Sequence, residues 1–382
     1  MIDFGDLPVF SAAAYPAIFI GQKREQPETG HPIVAADLNL PVRRRLRGDG
    51  RAVNVDNVRT ELDDLPELIR EAGAANYPQA LLRGQGWILE DPVLVRLFDR
   101  LMNEGTPLGQ YVNGRMYYGI KTGLNKAFVI DQATRDALIA ADPRSAEVIK
   151  PWLRGRDIKR WRPEWAGLYV IAIQNSGDRD AANAWGQAAD YAEARRIFAG
   201  TYPAIYDHLC EREFALRPRA DQGRYWWELR ACAYYAEFAK PKVLWPENND
   251  PVESNFAYDD SGFYTNNKAY LISGVSLSLC SYLNSPVVFW LLDKIATKLR
   301  GGWLELRSEN VVGTLPVPSS VNQFPQWAAP CEELHDASRL ELKLSIAESE
   351  LIWDWYLGRQ VFRSSLSLDK DEDDPAETDD GA

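Results

Sequence analysis

Cysteine and histidine are scarce in this chain: four and three residues out of 382. Cys210, Cys232, Cys280 and Cys331 stand far apart with no Cys-x-x-Cys pair, and His31, His208 and His335 fall in no ligand spacing. Neither a structural zinc site nor a disulfide framework is therefore indicated, and a reducing, cytoplasmic location is expected. No basic residue precedes Lys23, whereas Asp3 and Asp6 are acidic, so the positive start of a secretory signal is lacking. A Gly-x-Ser-x-Gly elbow is missing too, and Lys121-Thr-Gly-Leu-Asn125 lacks the spacing of a phosphate loop, which disfavours a serine hydrolase and a nucleoside triphosphatase. The longest run without charge, Ala269 to Leu292, is interrupted by five serines, Gly274, Asn284 and Pro286. It reads as a strand and buried helices, and no membrane partner is expected.

What is present is an ordinary folded composition, 46% hydrophobic and 11% aromatic, long enough for two or three domains at about 150 residues each. The net charge is −12, but the block Asp369 to Asp380 alone carries eight acids and one lysine and reads as a solvated tail. The rest of the chain is only mildly acidic, so the distribution of its charge matters more than the sum.

Along the chain, Ile2–Phe4 and Ala17–Ile20 read as strands, and a chain opening inside a strand leads to the expectation that a larger domain has been cut. Residues 26–86 are polar and punctuated by Pro and Gly, with one weak helix near 61–72 interrupted by Pro66, and read as a connector. Asp91-Pro92 followed by Val93, Leu94, Leu97, Phe98, Leu101 and Met102 predicts a helix stopped at Gly105. Strands are expected at 117–120, 127–130, 168–173, 242–245, 256–258 and 268–272. Helices are expected from 142 to 150, over 181–215 with breaks at Gly200 and Pro203, at 276–283 and 287–299, and over 328–357.

The densest basic cluster runs from Lys150 to Arg162, with Arg154, Arg156, Lys159 and Arg160 between them and Asp157 as the one acid. Such a run can neutralise phosphates, a guanidinium fork can read guanine, and Trp152, Trp161 and Trp165 could stack; a solvated connection with core tryptophans is the competing reading. A second cluster, Lys294, Lys298, Arg300 and Arg307, surrounds Gly301-Gly302. Asn266 and Asn267 could pair bidentately with adenine, although adjacent asparagines usually serve a turn. The adjacent acids Asp63-Asp64 and Asp259-Asp260 read as turn residues, and no catalytic or metal-binding residue is indicated.

Several ordered blocks resemble one family. They are Tyr117-Tyr-Gly-Ile-Lys-Thr-Gly-Leu-Asn-Lys-Ala-Phe-Val-Ile-Asp131, Ile149-Lys-Pro-Trp-Leu-Arg-Gly-Arg-Asp-Ile-Lys159, Tyr225-Trp-Trp-Glu-Leu-Arg230, Phe238-Ala-Lys-Pro-Lys242, Phe263-Tyr-Thr-Asn-Asn267, Leu283-Asn-Ser285, Thr297 to Trp303 and Leu315-Pro-Val-Pro318. Together they resemble the TaqI-like C-terminal specificity domain of adenine-specific DNA methyltransferases and fused restriction-modification enzymes. The opening, Ile2 to Phe10 with Tyr15 to Ile18, is similar to the end of that family's methyltransferase domain. The fold this implies is mixed α/β: a remnant of a methyltransferase-type sheet plus connector over 1–108, a mixed α/β target recognition domain over 109–318, a helical segment over 319–368 and the acidic tail over 369–382.

The resemblance implies double-stranded DNA as partner, with Lys121, Asn125, Lys150, Arg154, Arg156, Lys159, Arg160, Arg162, Asn266, Asn267, Lys298 and Arg300 as the DNA-binding candidates. The Gly-rich cofactor loop and the Asn/Asp-Pro-Pro-Tyr/Phe tetrapeptide of the family are missing, as is a Pro-Asp…Asp/Glu-x-Lys nuclease signature, so no catalytic residue carries over. S-adenosylmethionine is expected for the complete family enzyme and not for this chain. Three readings stay open: a DNA-recognition module inactive alone, a split-enzyme subunit that methylates adenine with a separately encoded methyltransferase subunit, and a Trp-rich protein-interaction module.

Overall fold

The computed structural model describes residues 1–5, 7–10, 17–21, 32–72, 75–78, 92–179, 181, 183–250, 254–299 and 302–321. The expected helix at 328–357, the segment 319–368 beyond Val321 and the acidic tail lie outside the described residues, as do Arg300, His31, His335 and Cys331. The described residues form a mixed α/β structure with several small sheets. Among them no helix is long and apolar enough to cross a membrane.

The N-terminal sheet orders its strands Ala17–Ile18, Ile2–Asp3, Pro32–Asp37 and Ala75–Pro78, with Ile2–Asp3 parallel to Pro32–Asp37. This corrects the expectation of a connector over 26–86. Leu38, Val42, Leu46, Val58 and Leu68 are fully buried with Phe4 and Leu7 beneath helices Asn39–Gly48, Val55–Leu62 and Leu65–Glu71. The apolar stripe is hidden in the text by the arginines between its members, Arg43, Arg44, Arg45 and Arg47. Pro66 does not interrupt one helix but sits in the first turn of the second, where its missing N–H has no partner to lose.

Helix Pro92–Glu104 buries Val95, Leu97, Phe98 and Leu101, about 1.5–3 kcal/mol of gross transfer free energy each. It belongs to a core that includes Trp245, Tyr282, Leu291 and Val312. The region beyond it contains two four-stranded sheets. One orders Ala257–Asp259, Lys242–Pro246, Ala269–Ser273 and Met116–Tyr118, all antiparallel. The other orders Tyr264–Thr265, Ile149–Leu153, Leu168–Ile171 and Val129–Ile130, with only its first pair parallel. Lys242, fully buried, pairs with the buried carboxylate of Asp259 at 2.5 Å and donates to the Phe238 carbonyl at 2.6 Å. Asp259 is a turn residue, as expected, accepting the amides of Ser261 at 2.8 Å and Phe263 at 3.0 Å, and a buried ion-pair partner as well; removing either member of the pair would leave a stranded charge costing about 3–5 kcal/mol.

Other boundaries also moved. Residues 125–128 form a helical turn, Asn125–Phe128, and only Val129–Ile130 is strand. Helix Gln132–Ala141, capped by Asp131, was not expected, and helix Ser145–Val148 gives way to strand at Ile149. The segment 181–215 divides into helices Tyr191–Thr201, Pro203–Cys210 and Glu213–Leu216. Helix Pro286–Ile295 ends earlier than expected, and Thr297–Lys298 is strand.

The two sheets meet at one corner. Strand Tyr264–Thr265 leaves one sheet, turns at Asn266, Asn267 and Lys268, and re-enters the other as Ala269–Ser273. Gly119 lies against this turn so closely that a Cβ there would run into the carbonyl oxygens of Thr265 and Asn266. Gly119→Ala is therefore expected to lower stability by at least the roughly 1–3 kcal/mol typical of overpacking, read from the denaturant midpoint.

His208, in helix Pro203–Cys210, is half-buried with Nε2 3.2 Å from the Ala127 carbonyl oxygen, and burial pulls its pKa below the ordinary imidazole value. The unfolded chain then binds the proton more readily, so the stability His208 contributes is present above pH about 6.5 and lost as pH falls below it. Denaturation of wild type and His208→Gln from pH 8 to pH 5 should show the steeper decline in the wild type.

Candidate nucleic-acid interface

Three chain segments run parallel into the corner. Tyr264 and Thr265 pair with Trp152 and Leu153, the Asn266 amide donates to the Leu153 carbonyl at 3.2 Å, and the Ile120 amide donates to the Thr265 carbonyl at 2.7 Å. Ile120 forms a parallel bridge with Asn266. Their carboxyl ends therefore emerge side by side, carrying Lys121, then Arg154, Gly155 and Arg156, then Asn266 and Asn267. Gly155 has no room for a side chain either, since a Cβ there would stand 2.9 Å from the Lys268 carbonyl oxygen. Backbone contact alone thus draws the Arg154–Arg156 segment to the turn.

The loop that follows is closed on itself. The Glu164 amide donates to the Asp157 carbonyl at 2.7 Å, and Ile158 bridges Pro163. At its tip Trp161 adopts φ +76°, a left-handed conformation unusual for a bulky residue, while its amide donates to Phe256 and its carbonyl accepts from Tyr258, both at 2.9 Å. Those two bonds seat the tip beside strand Ala257–Asp259 and leave Lys159 and Arg162 exposed on either side.

The six bases of the cluster divide by burial and partner. Arg156, Lys159 and Arg162 are exposed and have no ion pair among the described residues. Arg154 is half-buried and grips Asp157 with two guanidinium nitrogens, Nη2 at 2.7 Å and Nε at 2.9 Å, while Asp157 Oδ2 also accepts the Arg154 amide at 2.8 Å. The neighbouring carboxylate holds the Arg154 guanidinium above its ordinary pKa. Asp157 is only 6% exposed, so turning Arg154 outward would strand it at about 3–5 kcal/mol, more than a phosphate contact returns. Arg160 is buried, donates through Nη2 to the Asn284 carbonyl at 2.9 Å and stacks 5.0 Å over the Trp161 ring. Both thus brace the loop, Arg160 from inside and Arg154 with its side chain 31% exposed. Lys150 is half-buried at the far end of its strand, about 10 Å from the carboxyl ends at 3.3 Å per residue.

Of the remaining candidates, Asn125 is exposed and its Oδ1 accepts from the buried Thr122 hydroxyl at 2.6 Å. Lys121 is half-buried with no ion pair among the described residues. Lys298 stands on a separate small sheet and pairs with Asp293 at 2.9 Å; exchange of such an exposed pair costs about 1 kcal/mol or less. Among the described residues the Lys298 side chain pairs with Asp293 and not with the corner, and Arg300 lies outside the described residues.

Other residues that build the site gave no signal as chemistry. Arg219 is buried over the Phe128 ring at 4.6 Å and donates to the carbonyls of Thr122, Trp226 at 2.7 Å and Glu228 at 2.9 Å, and burial lowers its pKa to about 10. It pins the 121–125 loop to the 226–228 segment. Asn284 likewise serves the backbone, exchanging hydrogen bonds with both the amide and the carbonyl of Phe256. An asparagine inside an apolar run is the signal that could have found Asn284, whereas Arg219 stands in the polar run from Arg217 to Arg224 and carries no such signal. Glu228, fully buried, accepts from Trp185 Nε1 at 2.7 Å and from the amides of Ser176 and Tyr225, each at 3.1 Å.

Trp152, Trp185, Trp226, Trp227 and Trp245 are buried, so the described residues present no tryptophan-rich surface; Trp165 and Trp303 are the exposed ones. The turn after strand Ile2–Asp3 is filled by fully buried Leu7 and by Asn39 packed against Gly5, and Asp37 Oδ1 accepts the Asn39 amide at 2.8 Å.

Residues 150–317 match the TaqI-like C-terminal specificity domain. The match covers the basic cluster, the turn at Asn266 and both small-sheet strands around Trp303, and begins after the resembling block at 117–131. No curated protein matches the chain. Among solved structures the chain is similar to the type IIL restriction-modification enzyme MmeI in complex with DNA, at 13% identity and TM-score 0.39 over 66% of this chain and 33% of that one. It is also similar to the type IIG restriction endonuclease BpuSI, at 14% identity and TM-score 0.38 over 85% and 37%. The chain therefore spans about a third of the length of either.

Replacing Arg219 by methionine takes the donor from the carbonyls of Thr122 and Trp226, at about 1–3 kcal/mol each before relaxation, and one of two donors from that of Glu228. The variant should unfold at lower denaturant and show faster amide exchange at residues 121–125, measured by hydrogen-exchange mass spectrometry.

Proposed function

We propose that this chain is the sequence-specific DNA recognition module of a restriction-modification, adenine-specific DNA methyltransferase, inactive by itself. One observation carries the reading. The segment that matches a specificity domain is the segment in which, with no ion pair among the described residues, Arg156 stands exposed next to the asparagine turn and Lys159 and Arg162 stand exposed on the loop seated beside strand Ala257–Asp259. Phosphate contacts hold such a protein in register on the duplex, and a few side chains then read base edges.

In this reading Arg156, Lys159 and Arg162 contact DNA directly, with Lys121, Asn125, Asn266 and Asn267 at the adjoining strand ends. Lys150 and Lys298 lie outside that patch and contribute at most distant phosphate contacts. Arg154 and Arg160 hold the loop in shape. Residues 109–318 constitute the recognition domain and 1–108 a remnant of a methyltransferase domain, whose described residues 32–72 and 75–78 form strands and helices where a connector was expected. A separately encoded methyltransferase subunit would supply the cofactor site and the tetrapeptide that the chain lacks; the two arrangements differ in whether such a subunit restores methyl transfer.

The test replaces Arg156, Lys159 and Arg162 together by glutamate. Duplex binding at low salt should be lost with the circular dichroism spectrum unchanged. Single substitutions should each lower the slope of log affinity against log salt by about 0.9 per lost phosphate contact. Unchanged affinity of the triple variant would remove the patch from the interface, and methyl transfer to duplex DNA by the purified chain alone would overturn the inactive-module reading.

A further inference from the structure

The three asparagines at the corner are not equivalent. Reading adenine in the major groove takes a whole carboxamide, the oxygen accepting from N6 and the nitrogen donating to N7. Asn266 cannot offer one. Its Oδ1 accepts the Lys268 amide at 3.2 Å, its own amide donates to Leu153, and its carbonyl accepts from Ala269 at 3.1 Å. This is a β-turn with Asn266 at its first position, closed by side chain and backbone together, and it accounts for that residue by turn chemistry. Asn125 has its Oδ1 turned to the Thr122 hydroxyl.

Asn267 occupies the second position of the same turn, at its tip, and its side chain makes no hydrogen bond among the described residues. Lys268, next to it, is drawn aside to the carboxylate of Glu247. Gly155, packed against the Lys268 carbonyl, brings exposed Arg156 to the same corner. We infer that Asn267 is the specificity-determining residue of the turn and reads an adenine, with Arg156 beside it as the guanidinium fork suited to guanine. The inference rests on the DNA-recognition reading above.

The experiment selects duplexes from a randomised pool with the full chain, its Asn266→Ala and Asn267→Ala variants, and Asn267→Asp, which keeps the size and removes the donor. The wild type should enrich a motif containing an A·T pair. Both Asn267 variants should enrich the same motif with that one position relaxed and should bind the wild-type motif about 5- to 150-fold more weakly. Asn266→Ala should keep every base preference. An unchanged motif in both Asn267 variants, or relaxation by Asn266→Ala in place of Asn267→Ala, overturns the assignment while leaving DNA recognition standing. A wild-type chain that binds no duplex at low salt overturns both, and does so before any substitution is made.

Discussion

Everything at the candidate interface depends on how closely three backbones approach one another. Gly119 touches the carbonyls of Thr265 and Asn266, and Gly155 touches that of Lys268. Only residues without a Cβ allow that contact, and it sets the ends of three parallel segments beside each other with no side chain between. Because strand Tyr264–Thr265 and strand Ala269–Ser273 belong to different sheets, the turn joining them is also the joint between the two sheets. The surface that carries Lys121, Arg156 and Asn267 is therefore as rigid as the packing beneath it.

Charge is sorted by burial. The acids Asp157, Glu228 and Asp259 are inside, each satisfied by several donors, and the bases Arg154, Arg160, Arg219 and Lys242 are spent on them or on carbonyls. Breaking any of these arrangements costs several kcal/mol, whereas the exposed bases Arg156, Lys159 and Arg162 are held by nothing comparable. A chain with a net charge of −12 can in this way present a basic loop, and the sum of charges says little about its partner.

Much of the fold was legible. Helix Pro92–Glu104 follows from an apolar stripe with proline at its start, and the strands around Lys242, Ala257 and Ala269 follow from short apolar runs bounded by turns. The region from Pro32 to Glu71 was misread because its stripe is diluted by arginine and acid, so that composition resembled a linker while spacing encoded helices. Ala127 and Phe128 read as the start of a strand but close the helical turn Asn125–Phe128, since four residues carry no periodicity of their own. In the cluster from Lys150 to Arg162 the sequence showed that bases were concentrated, but six equivalent letters became three roles only in three dimensions.

The sequence by itself determined the class of protein, the ordered blocks that resemble a specificity domain, and the place along the chain where positive charge collects. Those are local properties, readable from residue type and spacing. Tertiary structure decided which bases face water, that Asn266 is consumed by its turn while Asn267 is not, and that residues 120, 153 and 266 share one edge. The reason is that a side chain's availability depends on what lies opposite it, and here the opposing groups, Asp157, Asn284 and the Lys268 amide, are brought into place by the folding of the loop, the helices and the turn.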